Sequence, residues 1–121
     1  MGMDLAFAEV QTFVSNLVKA KDFYQRVLGL RLVDETQKWL IFDISGTILI
    51  IMAGARPRTS AGSYGSESGT VVCFLSADID RDYAELTSQG VRFFSEITEV
   101  PEGRFVGFQD PDGNLLELIQ K

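Results

Sequence analysis

Apolar and polar positions follow two periods along this chain, and the same succession of periods is run through twice. From Phe7 to Val14 the residues alternate as in a strand. Ala8, Val10, Thr12 and Val14 fall on one face, and Glu9, Gln11 and Phe13 on the other. Asn16 can cap a helix by accepting from its first free N–H groups. Leu17, Ala20, Phe23, Tyr24, Val27 and Leu28 then recur at helical spacing, up to Gly29, a good helix stop. Strands are predicted at Leu30 to Val33, Trp39 to Ile44 and Thr47 to Met52, the last two joined by a turn at Ser45-Gly46. From Ala53 to Gly69 the chain turns to Gly, Ser, Pro and Arg, which reads as a long pliable loop, either a lid or a hinge.

The second half repeats this order. Thr70 to Ser76 reads as a strand. Asp78 is an N-cap, and Asp80 and Asp82 suit the first helical turn, where the helix dipole favours negative charge. Ile79, Tyr83 and Leu86 form the apolar stripe and Gly90 ends the helix. Strands follow at Val91 to Phe94, Arg104 to Gln109 and Leu115 to Ile119. The last two flank Asp110-Pro111-Asp112-Gly113-Asn114, whose residues favour a tight turn. Each half therefore reads β-α-β-β-β. Caps and turns also match: Ser15-Asn16-Leu17 with Ala77-Asp78-Ile79, and Ser45-Gly46-Thr47 with Asp112-Gly113-Asn114. This is a duplication with a period too long for a solenoid, so two modules packed side by side are expected.

Composition narrows the picture. A chain of 121 residues fits one domain, and with 45% hydrophobic residues it can bury a core. No apolar run reaches the length of a membrane span. The N-terminus reads as neither signal peptide nor myristoylation site. The single Cys73 excludes an internal disulfide framework and suits a reducing cytoplasm. A net charge of −6 argues against nucleic acid and anionic membranes as partners, and it would favour a cationic ligand.

These residues carry a resemblance. Val14-Ser15-Asn16-Leu17, Phe23-Tyr24-Gln25-Arg26-Val27-Leu28-Gly29-Leu30, Ala77-Asp78-Ile79-Asp80 and the Asp110 to Leu118 hairpin together resemble the glyoxalase / bleomycin-resistance / extradiol dioxygenase superfamily, also called vicinal oxygen chelate proteins. The resemblance covers essentially the whole chain. It implies an α+β fold of paired βαβββ modules, whose eight strands form a curled sheet, a cup, with helices outside. Residues 1–121 would be a single domain, with module one at 1–53, a linker at 54–69 and module two at 70–121. It also implies a homodimer, with exchange of modules between chains known among members.

Metal sites of that superfamily draw on four positions inside the cup, one near the start of each module's first strand and one on its last strand. Counted from the helix caps and the turn glycines, these positions hold Glu9, Ile50, Val71 and Glu117 here. The chain has no histidine at all. Iron dioxygenases use two imidazoles and a carboxylate, so that chemistry is not expected. No cofactor is expected, beyond a weakly held divalent cation on Glu9 and Glu117. The two carboxylates are the candidate catalytic pair, since burial and like charge favour protonating one of them. They are equally candidate anchors for a cationic or hydroxyl-bearing ligand, or charges neutralised by Arg104 or Lys38.

Gln11, Phe13, Trp39, Ile50, Met52, Val71, Cys73, Arg104 and Leu115 complete the candidate ligand-binding set. Most of them share the predicted inward, largely apolar face, which suits either a ligand cavity or core packing. Cys73 in such a setting is by default an inert thiol. Two functions fit. One is a protein that binds a small organic molecule in the cup without a tightly held transition metal. The other is a lyase or isomerase of glyoxalase type, working through Glu9 and Glu117 with a weak divalent ion or none.

Overall fold

The computed structural model describes residues 2–54 and 69–121. The chain forms two compact units, Met1–Ala55 and Arg56–Lys121, and the element order in each is β-α-β-β-β. The fold is α+β, with two four-stranded sheets. The loop read from Ala53 to Gly69, with its lid or hinge, lies for the most part outside the described residues; Ala53 itself closes a strand.

In the first unit the strands are β1 (Val10–Val14), β2 (Arg31–Glu35), β3 (Trp39–Ile44) and β4 (Thr47–Ala53), in the sheet order β1-β4-β3-β2. β1 runs parallel to β4, and the other pairings are antiparallel. Between β1 and β2 lies α1 (Leu17–Lys21), capped by Asn16, whose side chain accepts from Lys19 N–H at 3.0 Å. The predicted helix does not continue as α. Residues Asp22–Val27 widen into a π turn, with Leu28 N–H donating to Phe23 O and Leu30 N–H to Tyr24 O. The face presented to the sheet is the expected one. Ala20, Phe23 and Tyr24 are buried against Val14, Leu40, Phe42, Leu49 and Ile51, and the Tyr24 and Phe42 rings lie 6.0 Å apart.

The strand expected from Phe7 starts only at Val10. The parallel register sets Val10 beside Leu49, and β4 begins at Thr47, so the partner strand runs out beneath the first residues of the expected strand. Alternation along one segment carries no information about where its neighbour ends.

The second unit holds β5 (Val72–Leu75), α2 (Ile79–Ser88), β6 (Thr98–Val100), β7 (Gly103–Gln109) and β8 (Leu115–Gln120), with sheet order β5-β8-β7-β6. Asp78 caps α2 through Arg81 N–H at 3.1 Å. Ile79 and Leu86 are buried, as are Val106, Phe108, Leu116 and Leu118 on the sheet. The strand predicted at Val91 to Phe94 is not formed. Phe93 makes a single bridge to Phe108, and its ring sits 4.4 Å from Tyr83 and 5.4 Å from Phe108. Its apolarity thus serves side-chain packing, while the edge strand is built a few residues later by Thr98, Glu99 and Val100.

The hairpin turn is held from inside. Asp110, only 3% exposed, accepts from the N–H groups of Asp112 and Asn114, both at 2.9 Å, and from the Asn114 side chain at 2.9 Å.

Candidate functional site

Each sheet buries one face under its own helix, and the register fixes which residues stand on the other. In the first unit, β1 and β4 place Gln11 beside Ile50 and Phe13 beside Met52. β3 then adds Trp39 beside Met52, Ile41 beside Ile50 and Asp43 beside Ile48. Gln11, Phe13, Trp39, Ile50 and Met52, five of the expected ligand-binding residues, therefore share the face turned away from the helix. They differ in accessibility: Phe13 is 49% exposed, while Trp39, Ile50 and Met52 are half-buried. Trp39 Nε1 is withdrawn from water and has no hydrogen-bond partner among the described residues. Glu9, just upstream of β1, is half-buried, and its Oε2 accepts from Gln11 Nε2 at 2.8 Å.

In the second unit, β5 and β8 pair Cys73 with Glu117, and β8 and β7 pair Glu117 with Gly107. Leu115, Ile119, Phe105 and Gln109 join this row on the same face, since paired residues and every second residue of a strand share a face. Leu115 is buried and Glu117 half-buried. Val71, just upstream of β5, is half-buried. Cys73 is exposed, and so is Leu75, at 75%, rather than withdrawn into a core. The Cys73 Sγ–H lies 3.2 Å from Glu117 Oε2. Partial desolvation first, then the hydrogen bond and the charge of Glu117, push the thiol up to about 11.

Arg104 stands elsewhere. It pairs with Gln120 on β8, on the face occupied by Val106 and Phe108, which is opposite to that of Glu117. Its guanidinium forks onto Asp80 of α2, at 2.7 and 2.8 Å. This hydrogen-bonded pairing holds Asp80 below the usual carboxylate range and Arg104 above its own. Of the roles open to Arg104, which were contact with a ligand, pairing with Glu117 or a structural one, the ion pair with Asp80 on the helix side is the structural one. The reason is strand parity, which puts an even-numbered residue of β7 away from Glu117.

Two residues of this face were not anticipated. Gly107 sits beside Glu117, and Gln109 carries an Oε1 that is buried with no hydrogen-bond partner among the described residues. Parity across the Asp110 hairpin, counted from Glu117, is the signal that finds both.

The donor set does not suit a transition metal. Of the four positions that the superfamily uses, Ile50 and Val71 offer no ligand atom, and the two carboxylates bring no imidazole with them. Among the described residues no three His, Cys, Asp or Glu side chains gather as a metal site. Nor is any helix of the described residues long and apolar enough to cross a membrane.

A family model for the Glyoxalase/Bleomycin resistance protein/Dioxygenase superfamily matches residues 6–118. The chain is 30% identical to the uncharacterized protein YurT of Bacillus subtilis, covering 90% of this chain and 94% of that one. Among solved structures it is similar to TnmS3, an antibiotic binding protein from Streptomyces sp. CB03234, with 27% identity, TM-score 0.75 and 98% of each chain covered. It also shares its fold with the fosfomycin resistance protein FosX of Listeria monocytogenes, with 24% identity, TM-score 0.78, and 98% and 95% of the two chains covered.

Proposed function

The chain belongs to the Glyoxalase/Bleomycin resistance protein/Dioxygenase superfamily, and from that premise we propose that it binds a small organic molecule on the helix-free faces of its sheets, without a tightly held transition metal. One observation carries the reading. The face of each sheet that turns from its helix is largely apolar, yet it bears buried polar atoms with no partner among the described residues, Trp39 Nε1 and Gln109 Oε1. An apolar surface with a few unsatisfied polar groups is the make-up of a ligand site, where those groups orient the guest. A core of the same area would satisfy them internally. The likeness to an antibiotic binding protein, at 27% identity, supports binding rather than turnover.

The same reading has the protein work as a homodimer in the cytoplasm. Met3, Leu5 and Phe7 are 76% to 84% exposed, which suits cover by a second copy, with or without module exchange. The free thiol of Cys73 suits a reducing compartment.

A thermal-shift screen of small aromatic and drug-like molecules, run with chelator present, tests the proposal. A true ligand at about 100 times its Kd stabilises by about 2.7 kcal/mol, a readily visible shift. Its binding should change the fluorescence of Trp39, the single tryptophan. Stabilisation or turnover that appears only with an added divalent ion, and vanishes on replacing Glu9 or Glu117, would favour the lyase or isomerase reading instead.

A further inference from the structure

Resting on the binding function proposed above, we infer that the second unit's helix-free face selects ligands that carry a cationic nitrogen, held by Glu117 and Gln109. Among the described residues this face offers no cationic donor, only the Cys73 thiol and the neutral side-chain N–H of Gln109. Glu117 is half-buried, and its one hydrogen bond among the described residues is from the Cys73 thiol at 3.2 Å. A carboxylate has about four lone-pair sites, so most of its accepting capacity is unused. The cations of the described ion pairs are committed elsewhere: Lys21 to Glu35, Arg26 to Asp22, Arg81 to Asp82 and Arg104 to Asp80. Arg104, the cation of β7, points from the other face of the sheet.

Gln109 supplies the second, independent sign. Its Oε1 is buried and accepts nothing from the described residues. Leaving such an acceptor empty carries the desolvation penalty of the group, which a donor on a ligand would recover. Register puts Gln109 and Glu117 on one face, diagonal to each other across the β7–β8 pairing, at a typical separation of about 7–8 Å. Gly107 lies directly beside Glu117 and contributes no side chain of its own there. Leu115, Ile119 and Phe105 make the surroundings apolar, which strengthens a charge pair formed there.

The chemistry of the guest follows. A carboxylate and an orphaned amide oxygen, with only the Cys73 thiol and the neutral Gln109 side-chain N–H as donors on their face, disfavour carboxylates and phosphates, which call for cationic donors. An ammonium offers three donors and no acceptor. A hard metal ion needs about six oxygens at close range, which one carboxylate and one amide do not supply. The fitting ligand is a lipophilic amine or amidine, its apolar body on the leucine, isoleucine and phenylalanine side chains and its nitrogen at Glu117.

Three probes of one shape test this by calorimetry on the whole chain at neutral pH: 1-naphthylmethylammonium, the neutral 1-naphthalenemethanol and 1-naphthoate. The ammonium should bind about 10-fold or more tighter than the alcohol, a gap that ion pairing in an apolar site readily supplies, and naphthoate should be weakest. Glu117→Gln should bring ammonium and alcohol to within about twofold, the larger loss falling on the ammonium. Gln109→Glu should widen the preference. Thermal melts of both variants check that they fold. Equal affinity for ammonium and alcohol, or a preference that survives Glu117→Gln, overturns the inference while the binding function stands. If no probe binds at all, both fall.

Discussion

Cys73 and Glu117 face each other across the parallel pairing of β5 and β8, and the thiol donates to the carboxylate at 3.2 Å. A cysteine beside a carboxylate is the reverse of an activated nucleophile, because ionising it would set two negative charges side by side.

The thiol, pushed up to about 11 from an ordinary 9.0, should therefore be slow to alkylate. At pH 8 the folded protein should react with iodoacetamide about 100-fold more slowly than the urea-unfolded chain, the ratio of thiolate fractions. Glu117→Gln should speed the folded reaction. The stability effect has a definite sign. The folded state holds this proton more tightly than the unfolded state, so the contribution is complete below pH 9 and is lost as pH rises toward 11 and beyond. Urea melts at pH 8 and pH 10.5 should show a smaller alkaline loss for Cys73→Ala than for the parent. Equal losses would mean that the thiol titrates normally.

The turn before β8 should be sensitive at Asp110. Its carboxylate receives two backbone N–H groups and the Asn114 side chain, in a site 3% exposed. Asp110→Ala strands these donors and should cost about 2–4 kcal/mol, by the penalty for unsatisfied buried groups and lost charge-assisted bonds. Asp110→Asn keeps the shape and should cost less. Chemical denaturation of both variants gives the comparison, and a loss below that of an ordinary surface substitution for Asp110→Ala would show that the turn forms without its carboxylate.

Much of this fold was legible because it rests on local chemistry. Asn16, Asp78 and the Asp110 to Asn114 turn act on residues within reach along the chain, and the duplicated order of elements follows from them. What stayed hidden depends on neighbours distant in sequence. Phe93 looks like a strand residue, but its ring goes to Tyr83 and Phe108. Thr98 to Val100 is too short to show a period, yet Phe105, Arg104 and Gly103 offer it an edge. At the candidate site, alternation grouped Gln11, Phe13, Ile50 and Met52 correctly. For Arg104, charge alone left ligand contact, pairing with Glu117 and a structural role all open, and its face was set by a pairing register that only the hairpin defines.

The protein as purified should carry less than a tenth of an iron, zinc or nickel ion per chain, a rough bound from the absence of imidazole. Two of the four superfamily ligand positions, Ile50 and Val71, have no donor atom, and Glu9 and Glu117 each already accept a hydrogen bond from a neighbour on the same unit. Elemental analysis decides it. One transition metal per chain, lost on Glu117→Ala, would show that these carboxylates recruit ligands from outside this set.

The last expectation separates steric from torsional strain at two glycines. Gly46 closes the β3–β4 turn with φ +90, after Ser45 at φ +54, and an added Cβ there would meet nothing within 4 Å. Gly46→Ala should therefore cost only the left-handed backbone penalty, about 1–2 kcal/mol. Gly103 opens β7 with φ +147, and its Cβ would lie 2.5 Å from the Gln120 carbonyl oxygen and 3.1 Å from Lys121 Cα. Both obstacles are backbone, so the end of β8 must move. That end is also tied to α2, where Gln120 Oε1 accepts from Ile79 N–H at 2.7 Å. Gly103→Ala should then lose the torsional penalty and part of this tie as well, about 3 kcal/mol or more. Urea melts of the two variants should rank Gly103→Ala well below Gly46→Ala in stability. Equal losses would mean that β8 yields at its end without disturbing the helix, and that the contact between Gly103 and Gln120 constrains nothing.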